Sequence, residues 1–247
     1  MFFHEYEVDN DTFISPSGCV KDLGVMINSK LDWEDHIFSL TKFGKRLTSW
    51  LLNVFFTRDK EVMLTLFNSI VRSKLEYCSP VWDPYKLKHI NSIEQIQRSF
   101  TKKIKFMKDL DYWQRIKSLK IMSLQRRREK LTILLVWKIK NHLAPNNINM
   151  IFSQNPSIET RSNIETALTP PLPKCRGKII SVYENSFGIK ATKLWNKLPS
   201  KLTKIESLSL FRSKLDEYLF LLPDQPPVNG YYHANYNSIL EYKPAVF

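Results

Sequence analysis

Apolar residues recur every three or four positions along most of the chain, and this period restricts the fold to packed amphipathic helices. The clearest run follows Asp32, a residue type that caps helix N-termini. Its apolar positions are Ile37, Leu40, Phe43, Leu47, Leu51 and Val54. Lys42, Lys45 and Arg46 fall on the other side of the same helix, so its predicted outer face is cationic.

The same period predicts further helices. One follows a capping Asp59 and runs to the Ser79-Pro80 pair, and the next spans 88–107 with Arg98, Lys102 and Lys105 roughly opposite its apolar face. Other helices are predicted over 112–119, 124–142, 188–198 and 207–220.

Short β-like stretches lie at 6–8 and 19–27, with a turn between them at Ser15-Pro16-Ser17-Gly18, and together they predict a small hairpin. A further β-like stretch lies at 178–183. The predicted fold class is therefore mainly α: a helical bundle with a small N-terminal β-hairpin and a short β element in the C-terminal part. The expected organisation is a hairpin segment 1–31, a basic helical domain 32–143, a linker 144–177 rich in Asn, Ser, Thr and Pro, a small α/β segment 178–222, and a loosely structured tail 223–247.

The charge balance indicates a polyanionic partner. Lys and Arg number 37 against 24 Asp and Glu, a formal net charge of +13, and such a field attracts nucleic acid. A membrane surface or simple solubility would also account for the charge. No apolar run is long enough to span a bilayer, and the three cysteines are too far apart for a disulfide framework, so we expect an intracellular protein that is not secreted.

The run Arg126-Arg127-Arg128 opens the helix predicted over 124–142. Cations in a first turn oppose the helix dipole unless an anion lies nearby. Two interpretations stay open: a second nucleic-acid-binding patch, or arginines that are solvated or paired with Glu129 and other acids.

Five segments, in chain order, resemble the region that follows the catalytic palm in LINE-type (non-LTR) retrotransposon reverse transcriptases, particularly jockey-like and CR1-like elements. The closest similarity is Leu75-Glu76-Tyr77 followed by Trp82. The other segments are Lys21-Asp22-Leu23-Gly24-Val25 with His36-Ile37, Ile93-Glu94-Gln95-Ile96-Gln97-Arg98, the set Tyr112, Arg115, Leu119, Leu124 and Arg127-Arg128, and Trp195-Asn196-Lys197-Leu198-Pro199.

This resemblance implies a thumb-like bundle that holds template and primer. The implied partners are RNA, an RNA–DNA hybrid or DNA, together with the palm and fingers of the parent polymerase, in a nuclear or cytoplasmic ribonucleoprotein and without a membrane. The candidate nucleic-acid-binding residues are Lys42, Lys45, Arg46, Arg98, Lys102 and Lys105, with Arg126, Arg127 and Arg128 as the second patch. The motif aromatics Tyr77, Trp82, Phe100 and Trp195 are expected in the core, with base stacking by Tyr77 and Trp82 as the alternative.

Catalysis is not expected from this chain alone. The parent polymerases hold Mg²⁺ on paired aspartates, because two dications need clustered carboxylates, and no Asp-Asp pair occurs here. The five histidines are scattered without metal-ligand spacing. We therefore predict no catalytic residue, no metal ligand and no cofactor in this chain. The alternative function is a non-catalytic structural or protein-interaction module left from a truncated retroelement.

Overall fold

The computed structural model describes residues 6–9, 12–14, 17–144, 168, 183–225 and 237–241. Helices dominate these residues, and strands occur only near the N-terminal end of the described part. The predicted fold class, a mainly helical protein with a small N-terminal β-hairpin, is confirmed. The short β element predicted at 178–183 falls outside the described residues, except for Tyr183.

The N-terminal strands form two antiparallel pairs. β1 (Tyr6–Asp9) pairs with β2 (Thr12–Ile14), and β3 (Cys19–Asp22) pairs with β4 (Val25–Asn28). The predicted hairpin exists, but the expected pairing across Ser15-Pro16-Ser17-Gly18 is wrong, because the stretch 19–27 folds back on itself. Leu23 and Gly24 form its turn with φ of 44° and 89°. Two positive φ angles match the right-handed twist of a two-residue hairpin, and glycine adopts them without strain.

Five helical segments follow the hairpins. They are α1 (Glu34–Val54), α2 (Lys60–Leu66) continued by a π-helical segment (Phe67–Arg72), α3 (Ser73–Glu76), α4 (Ser79–Trp82) and α5 (Leu87–Thr101). Asp59 caps α2 as predicted, accepting from the backbone N–H of Glu61 and Val62.

The helix predicted over 88–107 ends earlier, at Thr101. Three-residue turns close its end, with the N–H of Lys103 donating to the carbonyl of Phe100 and that of Ile104 to Thr101. Phe106 then adopts a φ of 64°, which no α-helix accommodates.

α1 packs along α5 in the same direction, and small residues form the contact. Gly44 faces α5 so closely that a Cβ there would lie 2.8 Å from Cδ1 of Ile96. Thr41 and Thr48, one turn to either side, are buried in the same face. Val54, predicted to lie in the apolar face, is 47% exposed, whereas the buried face of α1 includes these small residues.

The C-terminal half is also helical. It contains α6 (Tyr112–Leu119), α7 (Leu124–Lys140), α8 (Phe187–Asn196), α9 (Ser200–Thr203), α10 (Leu208–Leu221) and a 3₁₀ turn (Ile239–Glu241). The predicted bounds of these longer helices agree within two residues at each end.

Two hydrophobic cores meet at α7. The first holds Phe67, Trp82 and Phe100, and the second holds Trp195 and Phe211. α7 contributes Leu124 to the first core and residues from Ile133 to Ile139 to the second. Most buried apolar residues of α7 thus pack against the C-terminal helices, so the segment expected as the basic helical domain 32–143 shares a core with the residues that follow it.

The expected linker 144–177 lies outside the described residues apart from Ala144 and Leu168. The tail 223–247 differs in part from the loose structure expected of it. Ile239 is 1% exposed in the second core, and the carboxylate of Asp224 accepts from the backbone N–H of Ser123 at 2.7 Å. Hydrogen bonds to α7 thus hold these residues in place despite the Pro-rich sequence around them.

Candidate nucleic-acid interface

An open groove of 550 Å³ lies between the N-terminal halves of α1 and α5. Lys42 and Lys45 from α1 and Lys88 from α5 line it, with Phe38 and Thr41 beside them. Lys42 and Lys45 are exposed, and the ion pairs formed among the described residues include neither of them. Their charges are therefore available to an external anion.

One end of the groove is acidic. Glu34 accepts from Nζ of Lys88 at 2.5 Å and lies 4.0 Å from Nζ of Lys86. The hydrogen bond from Lys88 lowers the pKa of Glu34. Lys88 is thus partly neutralised, and the cationic character of the groove rests on Lys42 and Lys45.

The other predicted cations of α1 and α5 do not line the groove. Arg46 is exposed, and its guanidinium lies 5.2 Å from the ring centroid of Phe43. Lys102 and Lys105 are exposed just beyond the C-terminal end of α5. At 1.5 Å per residue, Lys88 and Lys102 are about 21 Å apart along the helix axis, which is comparable to half a turn or more of a nucleic-acid duplex.

Arg98 is less accessible than these lysines. It is half-buried against α6, and its guanidinium lies 4.8 Å from the ring centroid of Tyr112 and 6.0 Å from that of Trp113. Binding of nucleic acid by Arg98 together with Lys102, four residues further along the chain, stays a prediction.

The predicted second patch, Arg126 to Arg128, is wrong. Arg126 and Arg128 are 0% and 1% exposed. Arg126 donates to backbone carbonyls in the C-terminal part, Arg127 pairs with Glu76, and Arg128 pairs with Asp83 at 2.7 Å. These arginines connect the two cores and are not available to phosphates. Of the two interpretations left open, pairing with acids holds for Arg127 and Arg128, whose partners are Glu76 and Asp83, whereas Arg126 donates to backbone carbonyls.

Carboxylates at the start of α7 offset the cations in its first turn. Glu94 of α5 accepts from the backbone N–H groups of Leu124 and Gln125 at 3.1 and 3.3 Å, and Asp224 accepts from that of Ser123. Burial raises the pKa of Glu94, even though Tyr112 donates a hydrogen bond to it. Two acids thus occupy the position that favours negative charge in a helix.

Asp83 is a second buried acid at the junction between the cores. It is bonded to Arg128 of α7 and Lys190 of α8. Burial alone would raise its pKa, but the charges of Lys190 and Arg128 outweigh that effect, so the pKa of Asp83 is lowered.

Several motif residues of the first core bond one another. Nε2 of Gln97 donates to the hydroxyl of Tyr112 and to the carbonyl of Met122, both at 3.0 Å. Nε1 of Trp82 donates to the carbonyl of Tyr77 at 2.8 Å. Trp82 is fully buried, so the alternative that it stacks on bases is excluded.

His36 lies against Trp82, with ring centroids 5.1 Å apart. Its Nδ1 accepts from the backbone N–H of Met26 in β4 at 3.3 Å, and burial lowers its pKa. This motif histidine therefore joins the hairpin to the helices.

Tyr77 also bonds to this hairpin. Its hydroxyl donates to the carbonyl of Leu23 at 3.0 Å, and its ring is close to Gly24. Because Tyr77 is 52% exposed, stacking on a base stays a prediction for this residue. Lys21 and Asp22, the first residues of the motif, are exposed on β3.

The C-terminal motif is also structural. Trp195 is 1% exposed, and Leu198 is buried beside it in the second core. Asn196 accepts from the N–H of Leu168 and donates to its carbonyl, both at 2.9 Å, so that it pairs with both backbone groups of this residue. The carbonyl of Pro199 accepts from the N–H of Leu202 and begins α9.

Sequence reasoning missed the partners of the buried arginines and two exposed phenylalanines, Phe56 and Phe106. Asp83 was visible in the sequence only as part of the Asp83-Pro84 pair that ends a helical period, and this pair gave no indication of its partners. No local pattern marked Asp224 or Lys190, whose roles depend on contacts about 100 residues away.

Among the residues that the structure describes, no three His, Cys, Asp or Glu side chains are grouped so as to hold a metal ion. None of the helices in this part of the chain is both long and apolar enough to cross a bilayer. Comparison of the chain with protein-family models, curated proteins and solved structures finds no match.

Proposed function

We propose that this chain is a nucleic-acid-binding segment from the C-terminal, post-palm part of a LINE-type reverse transcriptase, which holds template and primer without a catalytic site of its own. The observation that carries the proposal is the pair of exposed lysines, Lys42 and Lys45, in the groove between two firmly packed helices, with Lys102 and Lys105 beyond the far end of α5.

The chemistry of this surface suits a polyanion of repeating charge. A duplex carries one negative charge per 1.7 Å of axis, so neighbouring lysines such as Lys42 and Lys45 meet more than one phosphate at once. The lysines are point charges on flexible stems and do not read base edges. Binding is therefore independent of nucleotide sequence and weakens as salt is added. This suits a segment of a polymerase, which must hold templates of any sequence.

The family motifs support the same proposal. Glu76 pairs with Arg127, Gln97 bonds Tyr112, and Trp82 packs on His36, so residues from four of the five motif segments contact one another. This pattern is expected if the motifs record the packing of one folded unit. In this proposal, polymerisation and its Mg²⁺ belong to the palm of the parent enzyme, and the present residues supply affinity and register.

The test is titration of a labelled RNA–DNA hybrid at several salt concentrations, with the protein and the Lys42→Gln/Lys45→Gln variant. Each phosphate contact contributes about 1 to the slope of log affinity against log salt, so the double variant should lower the slope by roughly 2. The matched control is Lys193→Gln/Lys201→Gln, which removes the same charge from exposed positions on α8 and α9.

The control should keep the slope of the unmodified protein. Absence of hybrid binding, or equal losses in the two double variants, would contradict a specific interface on α1 and α5. Far-UV circular dichroism of each variant checks that the helices are retained.

A second candidate function is a protein-interaction module, and a specific observation favours it. Val20 and Leu23 on the hairpin of β3 and β4, together with Leu31 and Val81, are 52%, 82%, 45% and 55% exposed. Leu31 and Val81 line one surface pocket, and grouped exposed apolar residues are typical of a protein interface. A shallow salt slope together with self-association in sedimentation velocity would favour this second function.

A further inference from the structure

Two phenylalanines are almost fully exposed at the C-terminal end of the α1 and α5 pair. Phe56 follows α1 and is 90% exposed, and Phe106 follows α5 and is 82% exposed. Their neighbours are anchored in the core, since Phe55 packs against it and Ile104 and Met107 are buried on either side of Phe106. The exposure is therefore a property of these two side chains and not of loosely packed loops.

Hydrogen bonds hold the two loops against each other. The guanidinium of Arg58 donates to the carbonyls of Leu52, Phe55 and Thr57, and the N–H of Lys105 donates to the carbonyl of Arg58 at 2.9 Å. From this link, the Cα atoms of Phe56 and Phe106 are no more than roughly 18 Å apart, a span that a few nucleotides cover.

The backbone at Phe106 carries a further constraint. Its φ of 64° lies in the left-handed region, where a bulky aromatic residue is a genuine outlier. Such strain persists only where the surrounding structure imposes it. Here the buried residues on either side impose it, and the result is that the ring is directed away from the core.

The loop that carries Phe106 is rich in cations. Lys102, Lys103, Lys105 and Lys108 are exposed on the same loop, and Nζ of Lys105 lies 4.9 Å from the ring centroid of Phe106. Asp59 and Asp111 accept hydrogen bonds from the first turns of α2 and α6. Asp109 is exposed beside Lys108, and the four lysines exceed it in charge. Flat apolar rings among lysines complement a strand that offers bases and phosphates together.

We propose that this end of the α1 and α5 pair binds single-stranded nucleic acid, with unpaired bases stacked on Phe56 and Phe106 and phosphates on the four lysines. The inference rests on the proposed function and deepens it, because the groove with Lys42 and Lys45 binds duplex whereas the two phenylalanines select unpaired bases. A hybrid with a single-stranded extension would occupy both surfaces.

The experiment compares the Phe56→Leu/Phe106→Leu variant with the unmodified protein. Leucine keeps an apolar side chain but removes the π face on which a base stacks. The probes are fluorescein-labelled oligo(dT), an abasic strand of equal length and charge, and a blunt RNA–DNA hybrid. Loss of one aromatic–base stack weakens binding by about fivefold or more, so the double variant should bind oligo(dT) at least about 25-fold more weakly.

The variant should bind the abasic strand and the blunt hybrid as the unmodified protein does. Phe220→Leu, at another exposed phenylalanine on α10, is the matched control and should leave all three affinities unchanged. Equal affinity of the unmodified protein for oligo(dT) and the abasic strand would overturn the inference, while binding of the blunt hybrid would still support the proposed function. Loss of hybrid binding in the unmodified protein would instead refute the proposed function itself.

Anionic phosphatidylserine vesicles provide the opposing case, because lysines around apolar side chains also bind membranes. A membrane surface requires apolar volume and not aromatic faces, so leucine would support it as well as phenylalanine. Vesicle binding that survives the double substitution, together with oligo(dT) binding that the substitution does not change, would overturn the inference.

Discussion

Asp83→Asn is the substitution expected to destabilise the junction between the two cores most directly. Asp83 is 6% exposed at its side chain and accepts hydrogen bonds from Arg128 of α7 and Lys190 of α8. Asparagine preserves the size of the side chain but removes its charge. The buried guanidinium of Arg128, 1% exposed, would then lose the carboxylate to which it is bonded.

The expected cost follows from that burial. Removing one partner of a buried ion pair costs about 3–5 kcal/mol, because the remaining charge is left without compensation away from water. A domain is typically stable by about 5–15 kcal/mol, so this loss is a large fraction of the total. For a chain of this size it corresponds to a fall in Tm of roughly 6–20 °C.

The assay is urea-induced unfolding at neutral pH, followed by far-UV circular dichroism. Because the folded-state pKa of Asp83 is lowered from 3.8, its stabilisation is complete above that pH and is lost as the pH falls through the folded-state value. The control is Glu217→Gln, which breaks an exposed pair with Lys214 whose side chains are about half exposed. Exposed pairs contribute at most about 1 kcal/mol, so this control should unfold almost as the unmodified protein does.

A loss in the free energy of unfolding below about 1 kcal/mol for Asp83→Asn would refute the reasoning. It would mean that water or other acids compensate the charges of Arg128 and Lys190. A second variant separates charge from packing. Replacing Asp83, Arg128 and Lys190 together by apolar residues of similar volume should restore much of the stability, because buried ion pairs often contribute little net stability.

Two further predictions concern the first core. Burial lowers the pKa of His36 below its ordinary 6.5, so the folded protein binds this proton less readily than the unfolded chain, and stability falls as pH drops from about 7.5 to about 5.5. His36→Gln should show a smaller fall in urea unfolding at the two pH values, and equal falls would contradict the assignment. Gly44→Val should destabilise by about 1–3 kcal/mol, because a Cβ alone already meets Ile96 at 2.8 Å and Leu75 at 3.0 Å. Gly44→Ala is its control, since better helix propensity offsets part of the same clash, and a valine variant as stable as the unmodified protein would show that α1 can move away from α5.

Helix positions were predictable because they depend on local spacing. The bounds of α6 over 112–119 and the cap at Asp59 follow from residues within one or two turns. The end of α5 was not predictable in this way. Residues 102–107 continue the helical period in the sequence, and the positive φ of Phe106 is not visible there. The predicted strand pairing of the hairpin was wrong for a similar reason. Leu23-Gly24 and Ser15-Pro16-Ser17-Gly18 are both turn sequences, and the choice between them depends on which strands pair.

For the candidate site, the sequence indicated the exposed cations of α1 but not the burial of those on α7. Lys42 and Lys45 fall on the outer face of an amphipathic helix, so their exposure follows from periodicity. Arg126 and Arg128 are the residue type expected in a binding patch. They are nevertheless buried, because other helices pack around α7. Whether a cation meets solvent or a carboxylate depends on residues far along the chain, and spacing does not encode that information.

By itself, the sequence determined that this protein is helical, strongly basic and without an adjacent pair of aspartates, because local period and composition carry those properties. Only the tertiary structure decided which cations are free. The acids that neutralise Arg127 and Arg128, Glu76 and Asp83, come from segments about 45 to 50 residues earlier, and packing between helices brings them together. The physical reason is that burial removes water from a charge, so its role depends on the neighbour that replaces the water and not on the residue alone.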